Sequence, residues 1–160
     1  MATLSDAAEL HALRGRSILK LAPEGMCFER AREWAGKGSI ESMSRRLEET
    51  EAWVAEIDNH IVGWVAVRGD YLDALYVDPE HAKRGIGTNL LRLVEDVLRR
   101  RGVRAIRADA SWNSKAFYIR QGYELLGPRP PDDARPMRKR LLDAPNRAKP
   151  SKRSSLISDD

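Results

Sequence analysis

Residues 71–91 read YLDALYVDPEHAKRGIGTNLL. The apolar run Tyr71–Val77 stops at Asp78-Pro79, because proline cannot donate to a strand ladder. A basic glycine turn follows, Lys83-Arg84-Gly85-Ile86-Gly87, and a long helix opens from it. Successive backbone N–H groups in such a turn make an anion-binding concavity. The helix start adds unpaired donors and the positive end of its dipole. Lys83 and Arg84 add charge, and Gly85 and Gly87 let a phosphate come close where a Cβ would intrude. Glycines that merely shape the turn are the plainer account. The strand before them and the two cations beside them favour a phosphate or pyrophosphate ligand.

Two other phosphate loops do not fit. A P-loop needs Gly-Lys-Ser/Thr at the helix start, and Gly87 is followed by Thr88-Asn89. A dinucleotide fingerprint would put a third glycine at Leu90, within a βαβ unit at the first strand of a parallel sheet.

Outward from this segment the pattern stays regular. Residues 84–101 carry an apolar stripe of Ile86, Leu90, Leu91, Val94, Val97 and Leu98, with Gly102 ending the helix. Asn89, Arg92, Glu95, Asp96, Arg99 and Arg100 are expected to face away. Glu95–Arg99 and Asp96–Arg100 are spaced as i,i+4 pairs. Upstream, residues 52–57 and 60–67 read as strands joined by a hairpin turn at Asp58-Asn59. Downstream come a strand over 103–110, a short helix over 114–121, and closing strands near 123–126 and 136–142. Residues 5–22, 27–36 and 40–49 read as helices, the first capped by Ser5 or Asp6 and broken at Pro23 and Gly25. The order is helices, then β-β-β-α-β-α-β-β. That is an α/β mixed sheet with an antiparallel first half, not a doubly wound parallel sheet.

Length and composition set limits. The chain has 160 residues, 42% hydrophobic and 32% charged, the profile of one soluble domain. No apolar run approaches the roughly 18 residues of a membrane span, and the N-terminus lacks the apolar centre of a secretory signal. The single cysteine, Cys27, rules out an internal disulfide and suits a reducing cytoplasm. The net charge of +4 belongs to the C-terminus: residues 1–128 hold 19 Lys/Arg against 19 Asp/Glu, and residues 129–160 hold 9 against 5. A neutral body argues against nucleic-acid binding. Residues 1–142 are read as one domain and 143–160 as a disordered basic tail.

With these blocks in view, the chain resembles the GNAT superfamily of acetyl-CoA-dependent N-acyltransferases over about residues 50–127. The family's signature, Gln/Arg-x-x-Gly-x-Gly/Ala, is met by Ala82-Lys83-Arg84-Gly85-Ile86-Gly87, with Ala82 at the leading polar position and Lys83 or Arg84 left to supply its role. A second block, from Asp109 through Asn113 and Phe117-Tyr118 to Gly122-Tyr123, is similar to the family's asparagine, aromatic pair and glycine-aromatic ending. The family usually opens with a strand, whereas this chain begins with a helix.

The resemblance implies two splayed parallel strands, 72–78 and 104–110, with the pantetheine arm between them. It implies acetyl-CoA as co-substrate, bound by Leu75, Tyr76, Val77, Lys83, Arg84, Gly85, Ile86, Gly87, Thr88 and Asn113. It also implies direct attack by a primary amine of a small molecule or protein, with a backbone N–H near Tyr76 or Val77 polarising the carbonyl. Tyr118 is the expected donor to the departing thiolate. Asp73 is placed first as base, ahead of Asp109, Glu56 or a water chain. A non-catalytic acyl-CoA-binding module is the alternative, and a homodimer is left open.

The remaining candidates have plainer readings. Asn113 is equally suited to capping a helix. Cys27 is read as a partly buried structural cysteine. Trp34 is read as a core aromatic rather than a wall of the substrate groove. No metal site is expected from His11, His60 and His81.

Overall fold

Alternating apolar residues from position 51 onward form an antiparallel meander: β1 (Glu51–Ile57), β2 (His60–Arg68) and β3 (Tyr71–Val77). The computed structural model describes residues 1–21, 27–111, 113–128 and 135–142. The helix break at Pro23 and Gly25, Trp112 and the expected tail, 143–160, lie outside the described residues. Asp58 and Asn59 both take positive φ, 50° and 62°. Left-handed backbone at both central positions matches the twist of a two-residue hairpin, and Asp and Asn tolerate it.

Beyond the meander, β4 (Ala105–Ala110) runs parallel to β3, and β6 (Arg135–Arg140) runs antiparallel to β4. The two-residue β5 (Glu124–Leu125) closes the edge, giving the order β1-β2-β3-β4-β6-β5. This is the expected mixed sheet with an antiparallel first half. β3 and β4 pair only at Tyr71 with Arg107 and Leu72 with Ala108, so the expected splay is present.

The helices are α1 (Ala7–Leu21), α2 (Phe28–Ala35), α3 (Ile40–Glu49), α4 (Ile86–Arg100) and α5 (Lys115–Arg120). β2 is buried from Ile61 to Val67, because both its faces are covered. Val65 and Val67 join Leu91, Val94 and Leu98 of α4, while Trp64 and Ala66 join Leu10 and Leu13 of α1 and Met43 of α3. Gly63 brings α4 close to the sheet. A Cβ there would stand 2.9 Å from Ile86 Cγ2 and 3.1 Å from Leu90 Cδ1.

A bulge shapes β3. Ala66 pairs with Ala74 and Val67 with Leu72, which leaves Asp73 as the extra residue. The alternation inverts there: Leu72 packs in the α4-side core, and Ala74 in the α1-side core with Tyr76 against it. Bulges bend a strand and increase its twist, and this one lies where β3 leaves β4.

Glu95 departs from expectation. The sequence pattern sets it on the outer face of α4, yet it is 2% exposed. The reason is spacing: Leu91, Glu95 and Leu98 fall on one helical face, and β6 covers it. Glu95 Oε2 is met by Lys139 Nζ at 2.7 Å and by Arg99 Nη2 at 3.3 Å. Asp96 is taken by Arg99 at 2.6 Å, in place of the expected Arg100 pairing. Removing one partner of a buried pair strands the other charge. Lys139→Met is therefore expected to lower the unfolding free energy by about 2 kcal/mol, since Arg99 still compensates in part. Urea denaturation measures this, and a midpoint equal to that of the unmodified protein contradicts it.

Candidate active site

The chain leaves β3 at Asp78, which caps a 3-10 turn over Pro79–His81 by accepting the Glu80 N–H at 3.0 Å. The loop to α4 then bends twice through left-handed backbone, at Lys83 (φ 62°) and Gly85 (φ 82°), on either side of Arg84. Glycine takes this conformation freely. At Lys83 it costs about 1–2 kcal/mol, the kind of strain that collects at functional sites. Among the described residues, the N–H groups of residues 83–88 have no backbone acceptor, and the first bond of the series is Asn89 N–H to Gly85 O at 2.9 Å. Lys83 and Arg84 make no ion pair among the described residues. The loop thus offers unpaired donors and uncompensated positive charge together, which suits an anion.

Gly87 answers a different demand. A Cβ there would meet only ordinary contacts, Val77 Cγ2 at 3.5 Å and Phe117 Cζ at 3.7 Å. Packing does not require glycine at this position, and the missing side chain leaves the helix start open toward the cavity. Ile86 belongs to the core, packed against the α4-side cluster, so only its amide is available to a ligand. The Thr88 hydroxyl accepts a bond from Gln121 Nε2 at 3.3 Å.

The loop opens onto a cavity of about 430 Å³ between the separating strands. β3 supplies Asp73, Leu75, Tyr76 and Val77, and the loop and helix start supply Ala82, Lys83 and Gly87. Asp109 and Asn113 lie on the β4 side, with Phe117 and Tyr118 of α5. Eight of the residues expected from the sequence therefore share one wall system. Arg84, Gly85, Ile86 and Thr88 stand in the adjoining loop and helix start rather than in the cavity lining. Trp34 lines the cavity instead of filling the core. Cys27 is exposed rather than partly buried. Glu56 is exposed on β1 and does not line the cavity.

Sequence reasoning missed the wall formed by α1, namely Ser17, Ile18 and Leu21. It also missed the partners of the acidic residues. Arg46 Nε approaches Asp73 Oδ2 at 3.1 Å, and the Tyr71 hydroxyl donates to Asp109 Oδ2 at 3.0 Å. No local pattern signals these links, because each joins residues distant in sequence. Asn113 is not the cap of α5, which begins after Ser114. Its amide donates to the Leu21 carbonyl, and its oxygen accepts from Ser111 Oγ at 2.7 Å.

Tyr118 is 7% exposed. Its ring sits edge-on to Phe117 and Tyr123, with centroids 5.3 and 5.2 Å away. Its hydroxyl has no hydrogen-bond partner among the described residues. Burial raises its pKa, and the fields of Tyr76 and Tyr71 add to the effect. Tyr118 therefore stays protonated and able to donate throughout the range where enzymes work. Tyr71 is pushed up to about 12, first by burial and then by its bond to Asp109. Tyr123 is raised by burial and by the charge of Glu95.

An acetyltransferase (GNAT) domain model matches residues 20–139. The N-acetyltransferase YafP of Escherichia coli K12 is 27% identical over 121 residues, covering 76% of this chain and 77% of that protein. The peptidyl-lysine N-acetyltransferase YjaB of Salmonella typhimurium LT2 is 32% identical over 95 residues, 58% of this chain and 63% of that protein. A GCN5-related N-acetyltransferase from Rhodopseudomonas palustris superposes with a TM-score of 0.79 at 26% identity, over 87% of this chain and 92% of that one. The chain belongs to the GNAT acetyltransferase family and is an acetyl-CoA-dependent N-acetyltransferase in class.

The tyrosines carry a pH dependence. Folded-state values for Tyr71, Tyr118 and Tyr123 lie above the unfolded value near ~10. The stability tied to them is complete below about pH 10 and is lost as pH rises through the folded values. In an ultraviolet titration of the folded protein these three should not ionise near pH 10. A three-tyrosine absorbance step there contradicts the buried geometry.

Proposed function

We propose that the protein transfers an acetyl group from acetyl-CoA to a primary amine by direct attack in a ternary complex. The observation that carries the reading is the row of unpaired amides at residues 83–88, opening onto a cavity that Tyr118 also lines. In this reading the diphosphate rests on those amides, with Lys83 and Arg84 compensating its charge and Gly87 allowing contact. The pantetheine arm follows Leu75, Tyr76 and Val77 along the edge of β3 that β4 has left, with Asn113 on the opposite side. N–H groups on that edge lack a strand partner and serve as donors to the thioester carbonyl.

Tyr118 donates to the sulfur as the C–S bond breaks. A thiol titrates near ~8.5 in water, so full transfer from a raised phenol is uphill. The donation accompanies bond breaking or stays a hydrogen bond. Asp73 holds the incoming amine and passes its proton to water. Arg46, 3.1 Å from Oδ2, orients the carboxylate. The acceptor enters along the α1 wall past Trp34. The Salmonella relative's name adds peptide lysine to small-molecule amines as an acceptor class worth testing. The catalytic unit is residues 1–142. A single cysteine suits a cytoplasmic setting.

Two variants test the assignment. Tyr118→Phe is expected to hold the Kd for acetyl-CoA within about twofold and to lower kcat by about 10²-fold in a thiol-release assay. Unchanged turnover removes Tyr118 from the mechanism. Gly87→Asp sets a carboxylate where the diphosphate rests and is expected to weaken acetyl-CoA binding at least about tenfold. Equal affinity by calorimetry defeats the cradle.

A further inference from the structure

Asp78 is buried, and each of its hydrogen-bonding groups is occupied. Its N–H donates to Val62 O at 2.8 Å, and its carbonyl accepts from His81 N–H at 2.9 Å. Oδ1 accepts the Glu80 N–H at 3.0 Å. Oδ2 accepts from Nε and Nη2 of Arg16, at 3.2 and 2.7 Å. Burial pushes the carboxyl up, but the bonds from Arg16 and Glu80 and the nearby charges outweigh it, leaving the group below its ordinary value.

Arg16 lies on α1, 62 residues away in sequence. Asn113 ties the end of that helix to the turn after β4, through the Leu21 carbonyl. α1 is therefore bolted to the loop after each of the two diverging strands. From Ser17 to the second bolt it presents Ser17, Ile18 and Leu21 to the cavity.

Residues 86–88 are held by α4, whereas residues 83–85 have no backbone acceptor of their own. After Ala82 N–H to Pro79 O, at 3.3 Å, the backbone makes no further bond until Asn89. The turn that launches the loop is the one Asp78 caps.

We infer that Arg16 and Asp78 are a positioning pair that sets the amide loop against the α1 wall. Affinity for the coenzyme then depends on a guanidinium outside the cavity lining. The inference rests on the reading of residues 83–88 as the diphosphate cradle. Its signature is a loss of affinity with little loss of stability. The Arg16 side chain is 51% exposed and that of Asp78 12%. Water therefore reaches the pair from the Arg16 side and lowers its worth to folding, while Asp78 keeps the Glu80 N–H. A shift of about 1 Å in preorganised donors matters far more to a ligand.

The test uses Arg16→Met, Arg16→Lys, Asp78→Asn and the Arg16→Met/Asp78→Asn double variant, all in the full chain. Calorimetry with CoA and steady-state kinetics with saturating amine are the readouts. In both single losses the Kd for CoA and the KM for acetyl-CoA are expected to rise about fivefold. kcat should stay within about twofold and Tm within a few degrees. Arg16→Lys should recover part of the affinity. The double variant should bind no more weakly than the weaker single, because both remove the same interaction. Unchanged Kd in the single variants, with normal CoA binding by the unmodified protein, overturns the positioning role and leaves the cradle standing. Additive losses in the double variant overturn it as well, as does a fall in kcat and Tm without a change in Kd. An unmodified protein that does not bind CoA overturns both readings.

Discussion

β3 and β4 share only two paired positions, Tyr71 with Arg107 and Leu72 with Ala108, and then separate. The Asp73 bulge sits at that point and supplies the added twist. Each strand keeps its other neighbour, β3 with β2 and β4 with β6, so the sheet survives the break. Backbone groups on the parted edges are tolerable only where they meet solvent or a ligand. The cavity, the unpaired donors and the place of Tyr118 all follow from this separation.

The site lies at the junction of two cores. The α4-side cluster carries Tyr118 and Tyr123, and the α1-side cluster carries Trp64, with Tyr76 against it. Trp64 and Tyr76 stack with centroids 5.6 Å apart. The glycine loop belongs to the α4 layer and the α1 wall to the opposite one, which is why a tie between them, Arg16 to Asp78, bears on geometry more than on stability.

Charge around the site is sorted by pairing. Asp73 is held by Arg46, Asp78 by Arg16, and Asp109 by the Tyr71 hydroxyl. Lys83 and Arg84 lack such partners among the described residues. The uncompensated charge of Lys83 and Arg84 therefore lies beside the unpaired amides of residues 83–88.

Much of the fold was legible in residue order. The Asp58-Asn59 hairpin, the alternation of β2, the α4 stripe and the Gly85–Gly87 turn all depend on neighbours within a few positions, and those are spelled out along the chain. The glycine loop could be named for the same reason, whereas Tyr118 and the strand end were named through the family resemblance that the two sequence blocks carry. Glu95 shows the limit: its charge pointed outward, while its spacing and the arrival of β6 buried it against Lys139. Arg16 and Asp78, or Leu21 and Asn113, meet across 62 and 92 residues. Such meetings depend on how helices lie across a twisted sheet, and nothing within a helical turn of either residue records that.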